Sequence, residues 1–356
     1  MATPSDNLEA PRPTADLLPA NGRVLIVRLS ALGDVLFALE TVAALKAARP
    51  DLHIEFLVED RFADLLQDHP QLDAVHVYPR RDKLRILPAL WRLRRRRFDA
   101  ILDLHGILKS SVQVRLLRAD RKIGYAPPGA REGSHRAYHE AVDLPTPLPH
   151  RADMGHHLLA ALGLPGTPHP AQVATLPPAD DLLAGLPQPV VLMHPGTSAF
   201  ARFKRWPTDR FAELAKRLEQ RGLGTAVSFG PGEQEIADAV VAQAPQTRLI
   251  DGASLGLRGL AGVMQQVGVV VAGDTGPLHI AATVGTPCVA IFGPKDPDRY
   301  RPRAHNGQTH EVLFHDVPCR PCRRRQCASP QCVLGVTVDA VERATLRQCD
   351  QLPTPQ

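Results

Sequence analysis

The sequence contains no long apolar run and few aromatic residues, and these absences exclude several classes of protein. None of its hydrophobic stretches reaches the about 18 consecutive apolar residues that a membrane-spanning helix requires. Aromatic residues make up 4% of the chain and no nucleic-acid-binding module is visible, so we do not expect nucleic acid as a partner. Residues 1–22 are polar and proline-rich and lack the basic start and apolar core of a secretory signal. We therefore expect a disordered leader at 1–22 and a cytoplasmic location.

The chain also lacks a strong excess of either charge. Its 42 basic and 37 acidic residues give a net charge of +5, a mild bias that fits an anionic substrate or an anionic membrane surface. A length of 356 residues with 44% hydrophobic residues suffices for two domains, each with its own core. We expect the chain to act as a monomer.

What the sequence does contain is a regular alternation of strand-like and helix-like segments, which is typical of βαβ units in a parallel sheet. A proline-rich stretch at 171–189 separates two such series, at 23–170 and 190–336, and a helix with a short tail follows at 337–356. The pattern predicts an α/β protein of two Rossmann-like, doubly wound parallel-sheet domains. Such domains face each other across a cleft in which a ligand binds.

The segment RLSALGD at 28–34 is the most informative motif. It lies between a predicted strand at 24–27 and a predicted helix at 35–48, which places Asp34 at the carboxyl end of a strand. Ligands bind at that edge of open α/β sheets, and a carboxylate there can take a proton from an incoming hydroxyl. Asp is also a preferred helix N-cap, so Asp34 could have only that role. The two roles are compatible if capping fixes the carboxylate at the sheet edge.

A second motif, DTGPLH at 274–279, follows another apolar strand-like run. Thr275 or Gly276 can cap the helix that follows, and Pro277 suits its first turn. Free N–H groups and the helix dipole make such a helix start a binding site for a diphosphate. An ordinary capped helix would explain the TGP segment but not the residues on either side of it. The residues we expect at the anion are Asp274, Thr275, Gly276, Pro277 and His279.

Other loops of the second half also follow strands and should converge on the same sheet edge. The segment HPGTS at 194–198 offers donors from Thr197 and Ser198. Lys204 provides a point charge for a phosphate, and Glu233 could accept hydrogen bonds from ribose hydroxyls or a base amino group. Each loop alone could be a simple surface turn. Together they predict a pocket for a nucleoside diphosphate.

In combination and in this order, four motifs resemble those of the bacterial lipopolysaccharide heptosyltransferases. They are RLSALGD at 28–34, HPGT at 194–197, KRWP at 204–207 and DTGPLH at 274–279. These enzymes are inverting glycosyltransferases of family 9 with the two-domain GT-B fold. In the N-terminal half, the segment DLHGILKS is similar to the first heptosyltransferase, which adds heptose to Kdo on lipid A and usually has Gln in place of His105. The four-cysteine segment is more similar to other branches of the family.

The resemblance implies that the C-terminal domain binds a nucleotide sugar of the ADP-heptose type. Thr275, Gly276 and His279 would hold the diphosphate, together with the lysine that precedes Trp-Pro, Lys204. Asp34 would be the general base, and no metal or other cofactor would be required for catalysis. The N-terminal domain would bind the lipid A–core acceptor, which is Kdo–lipid A or heptosyl-Kdo–lipid A. The acceptor-binding residues we expect are Ser30, Lys109, Arg121 and Arg131.

The segment 80–97 carries nine basic residues and a single acidic one, Asp82. It could be no more than the solvated face of a helix. It could also hold the protein peripherally at the cytoplasmic surface of the inner membrane, because each basic residue near anionic lipid contributes about 1 kcal/mol.

Four of the six cysteines lie close together in the sequence, with the spacing C-x2-C-x4-C-x4-C. This spacing permits a tetrahedral structural zinc, although it is tighter than the usual pair of CxxC knuckles. The alternative is a folded loop with reduced thiols and no metal. The residues concerned are Cys319, Cys322, Cys327 and Cys332.

Two other functions are compatible with the residues. A sugar-nucleotide 2-epimerase shares the two-domain fold and needs no acceptor, and a non-enzymatic, basic, metal-binding interaction protein could be built around the cysteine cluster. Release of ADP only in the presence of an acceptor would exclude both.

Overall fold

The computed structural model describes residues 17–304, 309–322, 324 and 326–352, except for the side chains of residues 199 and 200. Most of the predicted leader therefore lies outside the described residues. Its last part packs on the first domain, because Leu18 is buried and the Asn21 backbone N–H donates to the Asp51 carboxylate at 3.0 Å. The first domain thus includes residues that precede the predicted boundary at residue 23.

The first domain is built on a sheet of six parallel strands in the order β3-β2-β1-β4-β5-β6. The central strands are short apolar runs because both faces of a parallel sheet are covered. The strands are β1 (Arg23–Val27), β2 (His53–Glu59), β3 (Ala74–Tyr78), β4 (Arg97–Asp103), β5 (Arg118–Tyr125) and β6 (Glu140–Val142). The helices are α1 (Leu32–Ala48), α2 (Ala63–Leu66), α3 (Lys83–Arg94), α4 (Leu108–Leu116) and α5 (Arg151–Ala161), and 3-10 turns lie at Asp60–Phe62 and Ser134–Ala137.

The second domain repeats this plan in the order β12-β11-β10-β7-β8-β9, again with all strands parallel. A short helix, α6 (Asp180–Leu183), lies in the predicted linker. The strands are β7 (Val190–His194), β8 (Gly224–Phe229), β9 (Arg248–Asp251), β10 (Val269–Gly273), β11 (Cys288–Phe292) and β12 (His310–Phe314). The helices are α7 (Thr208–Gln220), α8 (Gln234–Val241), α9 (Gly252–Gln266), α10 (Gly276–Thr283), α11 (Pro297–Tyr300), α12 (Gln331–Leu334) and α13 (Val338–Asp350), and a 3-10 segment lies at Ala199–Lys204.

Both sheets have the Rossmann strand order, so each has one point at which the order reverses. This switch point lies between β1 and β4 in the first sheet and between β7 and β10 in the second. The loops after β1, β4, β7 and β10 flank these points, which are the places where open α/β sheets bind ligands. The α/β prediction is confirmed, and the motifs at 28–34 and 274–279 follow β1 and β10.

The two faces of the first sheet are covered by different helices. α1, α2 and α5 pack on one face in a core that continues into α9 and α10 of the second domain. The other face is covered by α3 and α4, whose inward residues Leu93 and Val114 join a smaller cluster with Leu25 and Ile101 of the sheet. The first face therefore meets the second domain, and the second face is turned away from that contact.

The domains touch where α1 and α10 begin. A Cβ on Gly33 would overlap the ring of His279, and a Cβ on Gly276 would lie 2.6 Å from Cδ2 of Leu32. Each helix start therefore needs a glycine so that the other can approach it. Phe37 of α1 adds an edge-to-face contact with His279, with ring centroids 4.8 Å apart. This contact places the 28–34 motif against the 274–279 motif.

No helix in the described part of the chain is long and apolar enough to cross a membrane.

Candidate active site

Asp34 lies in the first turn of α1, but it does not cap the helix. The helix begins at Leu32, and its N-cap position is Ala31, which has no side-chain hydrogen bond to offer. The N-cap interpretation of Asp34 is therefore wrong, because the helix starts earlier than the predicted residue 35. The Asp34 side chain is free to turn away from the helix end and contact other groups.

Two guanidinium groups hold the Asp34 carboxylate. Nη2 of Arg28 forms an ion pair with Oδ2, and Nε of Arg151 donates to Oδ1 at 3.0 Å. Arg28 is buried at the end of β1 and also donates to the carbonyl oxygen of Leu104. Arg151 lies in the first turn of α5. Arg28, at the end of β1, and Arg151, in α5, therefore fix the orientation of the Asp34 carboxylate.

The electrostatics of this cluster keep Asp34 ionised. Burial by itself would raise the pKa of the carboxyl group, but the positive charges of Arg151 and Arg28 outweigh it and hold the pKa well below its usual range. The side chain is 23% exposed, so it can still be reached from the cleft. The site thus presents a preformed carboxylate of low basicity at neutral pH.

His105 lies close to this carboxylate and is neutral. Burial lowers its pKa to about 2, and the positive charge of Arg28 acts in the same direction. Its Nδ1 is buried and has no hydrogen-bond partner in the part of the chain that the structure describes. A neutral imidazole offers one donor and one acceptor. His105 can therefore contribute hydrogen bonds to a substrate but no positive charge.

A small cavity lies beside Asp34 on the α1–α5 side. Its lining includes both guanidinium groups, of Arg28 and Arg151, and the side chains of Phe37, Thr41, Leu104 and Tyr125. The cavity has a volume of about 10 Å³, which is room for about one water molecule, so it does not itself accommodate a sugar.

The second domain contributes the start of α10. Thr275 occupies the N-cap position but donates its hydroxyl to the carbonyl oxygen of Gly273 at 3.2 Å, so its side chain caps no N–H group. Pro277 lies in the first turn, as the sequence predicts. The N–H groups at this helix start are therefore available to an anion. His279 is buried beside them.

His279 is neutral, which changes the kind of contact it can make. Burial is the main cause that lowers its pKa, and it outweighs the opposing effect of Asp274 and Asp34. Its Nδ1 has no hydrogen-bond partner among residues 17–304 or the other described ranges. His279 can therefore donate a hydrogen bond to a phosphate but does not bring a positive charge.

The positive charge on this side comes from Lys204. Its Nζ lies 2.9 Å from Oδ2 of Asp274, and both side chains are largely buried. Asp274 thus holds the ammonium group next to the α10 start. A buried ammonium group held in this way can act on an anion as a fixed charge.

The remaining donor-side candidates lie around β7 and β8. Glu233 accepts from the Gly230 N–H at 3.0 Å, lies 3.4 Å from Nε2 of His194, and packs against Gly196, where a side chain would overlap it. Thr197 is buried and accepts from Nε of Arg205 at 3.0 Å. Ser198 is exposed. Arg205 belongs to the KRWP motif, but its contact with Thr197 could not be inferred from the sequence.

The four predicted acceptor-binding residues are placed differently. Lys109 forms an ion pair with the fully buried Glu59, which also pairs with Arg61 at 2.8 Å and with Arg80 at 3.7 Å. Three cations around one carboxylate leave a net positive charge at the carboxyl end of β2. Such a cluster can bind acidic groups of a substrate, and no sequence motif indicated its central residue, Glu59.

The other three predicted acceptor-binding residues differ in burial and in position. Ser30 is half-buried in the loop after β1, and Arg131 is exposed. Arg121 lies within β5, several residues before the end of the strand, and its guanidinium group pairs with Glu140 at 2.6 Å. The structure therefore does not bring Arg121 to the sheet edge where Asp34 lies.

The structure does not assemble the four clustered cysteines into a metal site within the described part of the chain, and the zinc hypothesis stays a prediction. Cys319 and Cys327 are exposed, Cys322 is half-buried, and Cys332 is buried, and all of them are free thiols. No group of three or more His, Cys, Asp or Glu side chains in the described ranges is arranged to hold a metal ion. Burial is the main cause that raises the pKa of Cys332, and the nearby thiols of Cys319 and Cys327 act in the same direction. These thiols therefore lie near one another, but their placement in the described ranges does not complete a set of metal ligands.

Two doubly wound parallel-sheet domains that meet where α1 and α10 begin form the GT-B fold, which is the fold of one large class of glycosyltransferases. Solved structures share this fold. A glycosyltransferase of family 9 from Veillonella parvula superposes with a TM-score of 0.78 at 19% identity, covering 94% of this chain and 98% of the other. The Escherichia coli heptosyltransferase WaaC with ADP gives a TM-score of 0.74 at 24% identity, covering 92% and 99%.

The chain belongs to glycosyltransferase family 9 (heptosyltransferase), whose family model matches residues 89–333. Lipopolysaccharide heptosyltransferase 1 of Pseudomonas aeruginosa is 30% identical over 322 residues, which is 86% of this chain and 87% of that protein. Lipopolysaccharide heptosyltransferase 1 of E. coli K12 is 27% identical over 291 residues, 77% and 89% of the two chains. The epimerase and the non-enzymatic interaction protein are therefore not favoured.

Proposed function

We propose that this protein transfers heptose from ADP-heptose to an inner-core acceptor of lipopolysaccharide, Kdo–lipid A or heptosyl-Kdo–lipid A, with inversion at the anomeric carbon. The observation that carries the proposal is the contact between the starts of α1 and α10. In this contact Gly33, the residue before Asp34, lies against His279 of α10, which supports a base on one side of the cleft and a phosphate site on the other. A base and a leaving-group site that face each other are what an in-line displacement requires.

In this proposal Asp34 accepts the proton of the acceptor hydroxyl. The acidity of that hydroxyl rises as its oxygen bonds to the anomeric carbon, so a weakly basic carboxylate can take the proton late in the step. Arg28 and Arg151 keep the carboxylate ionised and oriented. A single displacement at the anomeric carbon inverts its configuration.

The bond from the anomeric carbon to the β-phosphate oxygen breaks in the same step, and ADP leaves with additional negative charge. Lys204 and the N–H groups at the start of α10 would stabilise that charge, and neutral His279 would donate a hydrogen bond to it. The remaining predicted donor residues would bind the nucleoside part. Fixed charges and N–H groups suffice for these steps, so the proposal needs no metal or other cofactor.

The acceptor side would lie in the first domain. Lys109, Arg61 and Arg80 around Glu59 would bind carboxylate or phosphate groups of the acceptor. Because such an acceptor is lipid-anchored, we also propose that the protein works peripherally at the cytoplasmic face of the inner membrane. The basic segment 80–97 supports this location by its charge.

Acceptor-dependent release of ADP tests the proposed reaction. Purified protein is mixed with ADP-heptose, with and without Kdo–lipid A, and ADP is measured together with the mass of the lipid product. We expect ADP only when the acceptor is present and a product heavier by one heptose residue. Parallel reactions with GDP- and UDP-sugars test the base specificity. Conversion of the nucleotide sugar without an acceptor would contradict the proposal and support an epimerase.

A further inference from the structure

The face of the first domain that is turned away from the domain contact carries exposed apolar side chains where a solvated surface would be polar. On α3, Leu84 is 88% exposed, Leu87 is 73% exposed and Trp91 is 58% exposed. They follow each other at the i, i+3, i+7 spacing of one helix face. These three side chains contribute little to the core, which α3 reaches through Leu93 and Leu90 on its other side.

The neighbouring helix α4 also carries exposed apolar side chains along one face. Leu108, Val112 and Leu116 are all exposed at i, i+4, i+8 spacing, while Val114 packs inward. Both helices cover the same face of the sheet. They therefore present two apolar stripes on one surface, which we call the α3–α4 face and define by the six exposed side chains of Leu84, Leu87, Trp91, Leu108, Val112 and Leu116.

The charges around the α3–α4 face are mostly positive, although Asp82 caps α3 and pairs with Arg85, and Glu132 accepts from the Leu108 N–H. Neither α3 nor α4 contains an acidic residue. Basic side chains border the apolar stripes, and the guanidinium group of Arg95 stacks on the ring of Trp91 at 3.5 Å. Exposed basic residues of this surface are Lys83, Arg85, Arg92, Arg94, Arg115 and Arg118. Apolar stripes within a basic border are the pattern of helices that lie in a membrane interface.

The position of this face agrees with a lipid-anchored substrate. α3 and α4 begin at the carboxyl ends of β3 and β4, so Leu84 and Leu108 lie at the edge of the sheet that carries the active site. Lys109, the residue after Leu108, pairs with Glu59 in the cationic cluster. An apolar surface that adjoins the acceptor site would let the acyl chains stay in the bilayer while the sugar enters the cleft.

We infer that the α3–α4 face inserts into an anionic phospholipid bilayer, with its apolar side chains among the acyl chains and its arginines at the headgroups. Charge complementarity favours a bilayer over a second copy of this chain, because two such faces would bring basic residues of one sign together. The inference deepens the proposed membrane location and rests on it. It adds that insertion of apolar side chains, as well as surface charge, holds the protein there.

The chain offers a direct reporter for insertion. Its two tryptophans are Trp91, which is exposed, and Trp206, which is buried and donates through Nε1 to the carbonyl oxygen of Val336 at 2.8 Å. The full-length protein is titrated with vesicles of phosphatidylethanolamine and phosphatidylglycerol, some brominated on their acyl chains. We expect a blue shift of the emission and quenching by the brominated lipid in the wild type. We expect neither in Trp91→Phe, in which only Trp206 emits.

A double variant tests the energetic role of insertion. Leu84→Glu/Leu87→Glu changes two side chains that are mostly exposed, so folding should be retained. The vesicle partition coefficient should fall by at least about tenfold. Leu249→Glu, at an exposed apolar residue of β9 in the other domain, is the matched control and should bind vesicles as the wild type does. Transfer to a water-soluble, deacylated acceptor should be unchanged in both variants.

The outcomes separate the two proposals. Wild-type vesicle binding by the double variant, or a Trp91 emission that vesicles neither shift nor quench, would overturn insertion even if transfer activity is present. A monomer–dimer equilibrium that the double variant abolishes, without vesicle binding by the wild type, would show that a second copy covers the face. Normal insertion without transfer to any acceptor would leave this inference standing and refute the proposed reaction.

Discussion

Replacement of Arg151 by methionine should lower both the stability of the fold and the rate of the reaction, because both depend on its ion pair with the Asp34 carboxylate. Nε of Arg151 lies 3.0 Å from Oδ1 of Asp34, and its side chain is 11% exposed. Removing one partner of a fully buried ion pair costs about 3–5 kcal/mol. Arg28 remains, and Asp34 is 23% exposed, so we expect the free energy of unfolding to fall by about 2 kcal/mol at neutral pH.

The sign of the pH dependence follows from the pKa of Asp34. That pKa is lower in the folded protein than the about 3.9 of an unfolded chain, so the ion pairs contribute stability above pH 4 and lose it as the pH falls through the folded value. Arg151→Met raises the folded pKa and removes part of this contribution. The difference in unfolding free energy between wild type and variant should therefore be largest near neutral pH and shrink below about pH 4.

Urea unfolding at several pH values, with initial rates measured in parallel, is the assay. The kcat should fall by about tenfold to a hundredfold, because the carboxylate loses one of its two anchors. The KM for ADP-heptose should stay unchanged, because the donor contacts lie on the other domain. Arg151→Lys restores the charge without the guanidinium geometry and should recover most of the stability. A stability difference that is independent of pH would refute the role assigned to this ion pair.

Three further predictions concern the cleft and one concerns the cysteines. Lys204→Met should lower kcat by about 10²–10³-fold, measured by ADP release, because the leaving group loses its fixed cation; an unchanged kcat would remove this residue from the mechanism. Gly33→Ala should lower kcat by about tenfold or more because the new Cβ overlaps His279 and separates the two helix starts, whereas Gly273→Ala, whose nearest neighbour would be 3.7 Å away, should be mild. His105→Gln should keep activity at neutral pH and His105→Leu should lose it, because the imidazole is neutral and acts by hydrogen bonding; equal activity of both variants would contradict this. Elemental analysis tests the cysteine segment 319–332, which as placed should carry less than one equivalent of zinc; one tightly bound equivalent would show that the four thiols converge on a metal.

The sequence predicted the two parallel sheets because their central strands are continuous apolar runs. Apolar runs such as β1 and β11 are buried on both faces and alternate with helices, which is enough for a parallel sheet. The strand β5 has no clear strand pattern in the sequence, because it contains Arg118, Asp120, Arg121 and Lys122 and only its last three residues are buried. The identical strand order of the two sheets also escaped detection, since no sequence repeat accompanies it.

The candidate site could be predicted only where a motif is local. The carboxylate and the start of α10 follow from short segments of sequence, but the partners of Asp34 do not. Arg151 lies in the first turn of α5, and the His150 side chain accepts from the Ala152 N–H as the N-cap of this helix. Histidine is an uncommon cap, so no motif in the sequence marks this helix start.

Long-range contacts decide the chemical character of the site, and these are absent from sequence patterns. The neutral state of His279 results from burial between two domains, and the low basicity of Asp34 results from arginines on two other elements. The same holds for the cationic cluster around Glu59 of β2, whose cations come from the 3-10 turn after β2, the loop after β3 and the start of α4. Sequence motifs predicted which groups take part, and the packing of the two domains determines their charge and orientation.

The Asp34→Asn variant tests the central claim most directly. Asparagine keeps the size of the side chain but cannot accept the acceptor's proton as a carboxylate does. Turnover of ADP-heptose with Kdo–lipid A is measured beside binding of ADP-heptose by calorimetry. We predict that turnover falls by about 10²–10⁴-fold while the Kd for the donor stays within a factor of about three. Wild-type turnover in this variant would contradict the assignment of Asp34 as the general base.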